Sequence, residues 1–209
     1  MFGDGSLSFR EFAMREPLPL ATIHDAVLQF LRGKEDCALF GAQAVNAYVD
    51  EPRMTQDVDL LSLRAKDLAE ELRAFLNERF GIAARVREVA QGRGFRIFQV
   101  QKPKNRHLVD IRPVAKLPPL RKVMEVQVVA PEELIAGKVI AYQHRLGSPK
   151  SGTDWRDIAI LLLRFPKLKS EIGPVRRRLV AAGADRAVLS AWDRIVKQRI
   201  APQQDEDEF

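Results

Sequence analysis

Residues 37–61 read CALFGAQAVNAYVDEPRMTQDVDLL. The run Cys37-Ala38-Leu39-Phe40 is short, apolar and uninterrupted, which suits a buried strand. Gly41 ends it, and residues 42–48 have helix-forming composition with small side chains near the start. Glu51-Pro52 breaks that helix. Residues 55–61 then read as a second strand, with Asp57 and Asp59 two positions apart. Residues i and i+2 share a strand face, so the two carboxylates point together while Val58 and Leu60 pack on the other side.

Two carboxylates held side by side repel each other. Hard divalent cations relieve that repulsion, and Mg²⁺ prefers a few carboxylates together with substrate phosphates and water. The glycine ahead of them adds the second half of the pattern. A strand–Gly–helix turn presents free backbone N–H groups at a helix N-terminus, which suits a phosphate. A phosphate cradle followed by a metal-binding Asp pair meets the needs of phosphoryl or nucleotidyl transfer. A lone Asp-x-Asp at a solvated strand end would carry no ligand, and the preceding strand–Gly–helix unit tips the reading toward a site.

The pattern strand-Gly-Ala-x-Ala-Val-x-x-Tyr, then Pro-Arg-x-Thr-x-Asp-Val-Asp-Leu-Leu, resembles the polymerase-beta-type nucleotidyltransferase superfamily. Within it the chain is similar to the small bacterial AbiEii-like proteins. Gly41-Ala42 stands where the superfamily hallmark is Gly-Gly or Gly-Ser, so a serine hydroxyl is missing and the backbone N–H groups remain. The resemblance implies that Asp57 and Asp59 hold Mg²⁺, and that the Gly41 and Ala42 amides contact the terminal phosphates of an NTP. Arg53 is a candidate to neutralise developing charge.

Working outward, residues 66–80 form an amphipathic pattern, with Leu68, Leu72, Phe75, Leu76 and Phe80 on one face and Gly81 as the stop. Upstream, Thr22 reads as the N-cap of a helix whose stripe is Ala26, Val27, Phe30 and Leu31, ending near Gly33. His24, in its first turn, reads as a surface residue, and the first twenty-one residues as an irregular lead-in. Downstream, 84–89 and 95–101 read as strands joined at Gly92-Arg93-Gly94, a hairpin signal. Residues 107–111 form a further strand containing Asp110, where an unpaired carboxylate is costly. Arg106 and Arg112, on the same strand face, are candidate partners. The resemblance implies a different role for Asp110, the third carboxylate of the metal site. By alternation His107 points to the opposite face and reads as structural.

Residues 113–121, with Pro118-Pro119, read as a linker, and 126–129 as a short strand. Pro131 opens a helix running to about His144, with Leu134, Ile135, Val139 and Tyr142 on its stripe. Lys138 falls inside that stripe. Residues 147–152 read as a loop, and 153–157 as the start of another helix on which Asp157 shares a face with Leu161 and Phe165. Lys138 and Asp157 could pair across the two helices. The resemblance implies another reading, since Glu133-Leu134…Lys138 and Arg156-Asp157 match the AbiEii-like setting. There the lysine contacts nucleotide phosphates and the aspartate supports the site. Residues 172–200 read as one or two helices, with Trp192 in the core.

The chain has 209 residues, one cysteine and a net charge of +6. A single Cys37 in an apolar strand excludes a disulfide framework and reads as core. No apolar stretch reads as a secretion signal or a membrane span, so a cytoplasmic location is expected. The sequence pI of about 9.7 is compatible with a nucleic-acid partner, although the excess charge is spread along the chain. The acidic residues 205–208 read as a disordered tail. Zinc, Ser-elbow and P-loop signatures are absent from the sequence.

The expected fold is α/β, a nucleotidyltransferase-like mixed sheet flanked by helices over residues 1–130, followed by a helical lobe over 131–209. The expected function is Mg²⁺-dependent transfer of a nucleoside monophosphate from an NTP to an acceptor hydroxyl. Asp57, Asp59 and Asp110 would hold two ions, and Gly41, Ala42, Arg53, Lys138 and Asp157 would bind nucleotide. Charge and resemblance favour RNA or tRNA as acceptor, in a toxin with a cognate antitoxin. A small-molecule acceptor and a non-catalytic nucleotide- or RNA-binding module stand as the alternatives.

Overall fold

The computed structural model describes residues 18–89 and 92–202. Most of the lead-in and the acidic tail therefore lie outside the described residues. Helix α1 (Leu20–Leu31) leads into strand β1 (Cys37–Phe40), helix α2 (Gly41–Asn46) and strand β2 (Val58–Ser62). Helix α3 (Ala65–Phe80) precedes strands β3 (Ala84–Val89), β4 (Gly94–Gln99), β5 (Arg106–Pro113), β6 (Leu120–Val123) and β7 (Val126–Val129). The chain then becomes helical, through α4 (Pro131–His144), α5 (Pro149–Arg164), a 3₁₀ turn (Pro166–Leu168), α6 (Pro174–Ala181) and α7 (Arg186–Lys197). This is the expected mixed α/β architecture.

The strands form one seven-stranded sheet in the order β3-β4-β5-β2-β1-β7-β6. β2 is antiparallel to β1 and parallel to β5, while β4 is antiparallel to both β3 and β5. Register fixes what shares a face. Phe40 lies opposite Asp59, Asp59 opposite Asp110, Asp110 opposite Arg96, and Arg96 opposite Arg87. Opposed residues point the same way, so this polar row crosses one face of the sheet. The intervening residues Leu39, Leu60, Ile97 and Ile111 are buried on the other face, under α3 and α1.

Helix α3 shows why the apolar spacing matters. Leu68, Leu72 and Leu76 recur every four residues and are fully buried, each contributing about 1.5–3 kcal/mol of burial free energy. Gly81 closes the helix with φ +62°, a conformation that suits glycine. Trp192 is likewise in the core, and its indole N–H donates to the Ser170 carbonyl at 3.3 Å. Among the described residues no helix is long and apolar enough to cross a membrane.

Several boundaries differ from the sequence reading. Strand β2 begins at Val58, so Asp57 sits on the connection just ahead of it. Helix α1 starts at Leu20 behind Pro19, with no capping side chain. His24 is buried, and its Nδ1 accepts from the Gln43 side-chain amide at 3.1 Å. Helix α5 starts at Pro149 rather than Thr153, because Pro at a first turn pre-sets the helical φ. The end of the expected linker contributes strand β6, paired with β7. Their turn places Met124 and Glu125 at φ +48° and +67°. Such two-residue turns usually carry Asn-Gly, and without that signal the hairpin was not visible in the sequence.

Candidate active site

The site is assembled around Gly41, which follows extended Phe40 and opens α2. Its φ of +68° is in the left-handed region, and a Cβ built there would lie 2.1 Å from Oδ2 of Asp59. Only glycine lets the Asp59 carboxylate rest against this backbone. No side chain caps α2, so its first N–H groups keep their donor capacity toward the adjacent cleft. Ala42 follows on the same lip, lining the cleft with Gly41.

Asp59 and Asp110 are register neighbours on parallel strands, and Asp57 approaches from the connection before β2. The three differ in their partners. Asp110 accepts two hydrogen bonds from Arg96, at 2.9 and 3.0 Å, and a third contact from His107 Nε2 at 2.9 Å. Burial alone would raise its pKa, yet His107 and Arg96 outweigh that and hold it well below the usual carboxylate range. Nδ1 of His107 lies 3.0 Å from Asp57, so the imidazole bridges two carboxylates. Hydrogen bonds to Asp110 and then to Asp57 push its pKa up to about 9.

This placement corrects two sequence expectations. His107 shares the face of Asp110 because a bulge interrupts the β4–β5 ladder. Ile97 pairs with Val109 and Phe98 with His107, leaving Leu108 as the extra residue. One inserted residue reverses the alternation for everything beyond it. The partners of Asp110 are Arg96 and His107, not Arg106 and Arg112. Arg106 donates to the Leu18 carbonyl, and Arg112 stacks over the Phe40 ring at 4.8 Å.

Asp59 has no hydrogen-bond donor among the described residues. Its pKa is pushed up to about 6, first by burial and then by the charge of Asp57, against the opposing pull of Arg112. Asp59 is thus a half-buried carboxylate without a donor of its own, beside two carboxylates that His107 bridges. The carboxylate oxygens of Asp57, Asp59 and Asp110 are hard donors of the kind Mg²⁺ takes. A carboxylate oxygen of Asp57, a ring nitrogen of His107 and a carboxylate oxygen of Asp110 lie within 4.8 Å of one another.

The helices after Pro131 supply the opposite wall. Asp157 is fully buried and binds Arg53 through two hydrogen bonds, at 2.9 and 3.1 Å. Lys138 Nζ lies 2.7 Å from Asp157 and 3.5 Å from Asp154. Burial would raise the Asp157 pKa, but the Arg53 hydrogen bonds and the Lys138 charge leave it lowered. Asn46 fixes the Arg53 segment from the other side, its amide donating to the Arg53 carbonyl at 2.8 Å and its Oδ1 accepting from the Arg53 N–H. The pairing of Lys138 with Asp157 is thus observed, and Arg53 is tied into the same cluster.

Between the walls is a cleft of about 790 Å³, within the range of small-ligand sites. Gly41, Ala42, Arg53, Asp57, Asp59 and Lys138 all line it. Asp110 stands beside Asp59 in the sheet without lining the cleft, and Asp157 lies behind Arg53 and Lys138 as their common anion. His107 and Arg96 were not singled out from sequence as site residues. A hairpin register would have placed Arg96 opposite Asp110, but nothing in the sequence announced the bulge that turns His107 inward.

Comparison with known proteins bears on the family and the fold. The family described as the nucleotidyl transferase AbiEii toxin of type IV toxin–antitoxin systems matches residues 26–208. Among solved structures, the chain is similar to JHP933 from Helicobacter pylori, at 14% identity and TM-score 0.53, covering 92% of this chain and 94% of that one. It is also similar to the Megavirus polyadenylate synthase, at 13% identity and TM-score 0.58. That match covers 70% of this chain but only 32% of the viral one. At these identities the likeness is one of fold. No curated protein matches the chain.

Proposed function

Because the chain belongs to the AbiEii family of nucleotidyltransferase toxins, we propose that it moves a nucleoside monophosphate from an NTP to a hydroxyl of RNA. A tRNA is one such acceptor, and a cognate antitoxin would restrain the activity. The observation that carries the reading is the Gly41–Asp59 contact, which sets a donor-free carboxylate beneath a helix N-terminus at the lip of the cleft.

In this reading Asp57, Asp59 and Asp110 hold Mg²⁺, as two ions. Bound there, Mg²⁺ supplies charge neutralisation for the triphosphate and a lowered pKa for the acceptor hydroxyl. The Gly41 and Ala42 amides face the terminal phosphates. Lys138 and Arg53 supply positive charge from the facing wall, and Asp157 holds both of them in place. Asp110, fixed by Arg96 and His107, would ligate metal and help take the proton of the acceptor hydroxyl, while the bond to the leaving pyrophosphate breaks as the new ester bond forms. The net charge of +6 supports a polyanionic acceptor.

The test is label transfer from each α-labelled NTP, with Mg²⁺ and total RNA, beside Asp57→Asn. Label on RNA that is lost in Asp57→Asn is the expected result. Label retained by that variant would overturn the mechanism. Label found only on small molecules would overturn the RNA acceptor.

A further inference from the structure

The polar row that carries Asp59 and Asp110 does not stop at the metal cluster. It continues outward over β4 and β3 to the open edge of the sheet, and the arginines that stand there pair with no described residue. Arg87 is opposite Arg96, and Arg85 is opposite Phe98, which is itself opposite His107. Arg85, Arg87 and Phe98 thus share the face of the catalytic carboxylates. Helix α3 packs on β3 and β4, and the side chains it covers are the alternating set, including Val86, Phe95 and Ile97.

Arg85 and Arg87 are exposed, and no described residue pairs with either. Phe98 is half-buried, yet unlike Phe95 it is not packed against the hydrophobic core and stacks on no described aromatic ring. Arg87 directly opposite Arg96 sets like charges side by side, a repulsion that a bound anion relieves, and a phenylalanine turned away from the core loses its burial. On this face, β3 and β4 carry no acidic residue. The strip is two guanidinium groups and one aromatic ring on a rigid sheet. Two strand spacings, about 10 Å, separate the Arg87 position from Asp110.

We propose that Arg85, Arg87 and Phe98 form an acceptor track, which binds single-stranded nucleic acid and leads its end to Asp59 and Asp110. The arginines take backbone phosphates and Phe98 stacks a base, the combination used for sequence-tolerant binding of single strands. The track reaches the carboxylates from the β3 edge, while the nucleotide occupies the cleft on the Lys138 side. The acceptor and the NTP therefore approach from opposite directions. This inference rests on the reading of RNA as acceptor.

The experiment measures anisotropy of a short fluorescein-labelled single-stranded oligoribonucleotide against the full chain, from about 50 to 200 mM salt. NTP binding with Mg²⁺ is measured on the same proteins. The double variant Arg85→Ala/Arg87→Ala should reduce the slope of log K against log salt by about 1.4, since each lost single-strand phosphate contact removes about 0.7. Phe98→Ala should weaken RNA binding about 5- to 150-fold, with the salt slope unchanged. Arg85→Lys/Arg87→Lys should keep the slope, and every variant should bind NTP as the wild type does. Wild-type RNA affinity and slope in the Ala variants would overturn the track, while intact RNA labelling would leave the proposed function standing. A wild type that labels RNA in no condition and binds none would overturn both. Weakened binding of a protein partner, with RNA binding intact, would reassign the strip to that partner and overturn the proposal.

Discussion

Gly41→Ala is the sharpest probe of how this site is built. The new Cβ would start 2.1 Å from Asp59 Oδ2, 2.8 Å from its Cγ and 2.9 Å from its Cβ. Ordinary contact needs about 3.5 Å, so the carboxylate has to move by more than about 1 Å. The backbone at φ +68° adds about 1–2 kcal/mol for any residue with a Cβ. For a chain of this size that is a fall of about 2–8 °C in melting temperature. A misplacement of about 1 Å costs about a hundredfold in rate, so activity should fall far more than stability. Label transfer and thermal melting on one preparation would show the split. Ala42→Gly, which keeps the backbone N–H at the helix start, should retain activity. If Gly41→Ala kept more than about half of wild-type transfer, the close packing of Gly41 against Asp59 would not matter to the chemistry, and the argument from that contact would fail.

Asp157→Asn strips Arg53 and Lys138 of their common buried anion, and urea unfolding should report a loss of about 3–5 kcal/mol. Lys138→Met should cost less than that, because Arg53 still partners Asp157. The Asp157 pKa is lowered on folding, so its contribution is present above the unfolded carboxylate value of about 3.9 and lost as pH falls through the folded one. Acid titration of melting temperature should therefore be steeper in the wild type than in Asp157→Asn, and equal slopes would contradict this. Mg²⁺ should stabilise the fold by relieving the carboxylate cluster, by about 2.7 kcal/mol at a hundredfold excess over its Kd, and so raise the melting temperature. Asp59→Asn should abolish most of that increment without unfolding the apo protein, and a persisting increment would place the ion elsewhere.

Much of the site was legible because its chemistry is local. Gly41, Asp57 and Asp59 lie within one strand–helix–strand segment, so their nearness could be read from the order of the elements. The buried stripe of α3 was equally plain, since Leu68, Leu72 and Leu76 repeat at the helical period. The sequence reading failed where a local exception governed the geometry. His107 turned inward through a single bulge at Leu108. Strand β6 was hidden because Met124 and Glu125 adopt positive φ without a glycine. His24 looked exposed because a helix's first turn usually is, yet Gln43 and the sheet cover it.

The sequence by itself determined most of the elements, the mixed α/β class and the candidate carboxylates, since those depend on spacing along the chain. Only the tertiary structure decided which charges meet. Asp110 lies between Arg96 and His107, Asp157 between Arg53 and Lys138, and the alternatives of Arg106 and Arg112 were reasonable from spacing but not realised. The physical reason is that ion pairing is a contact of a few ångströms between residues up to 104 positions apart. Strand order, register and one bulge set those contacts, and none of the three is encoded in local periodicity.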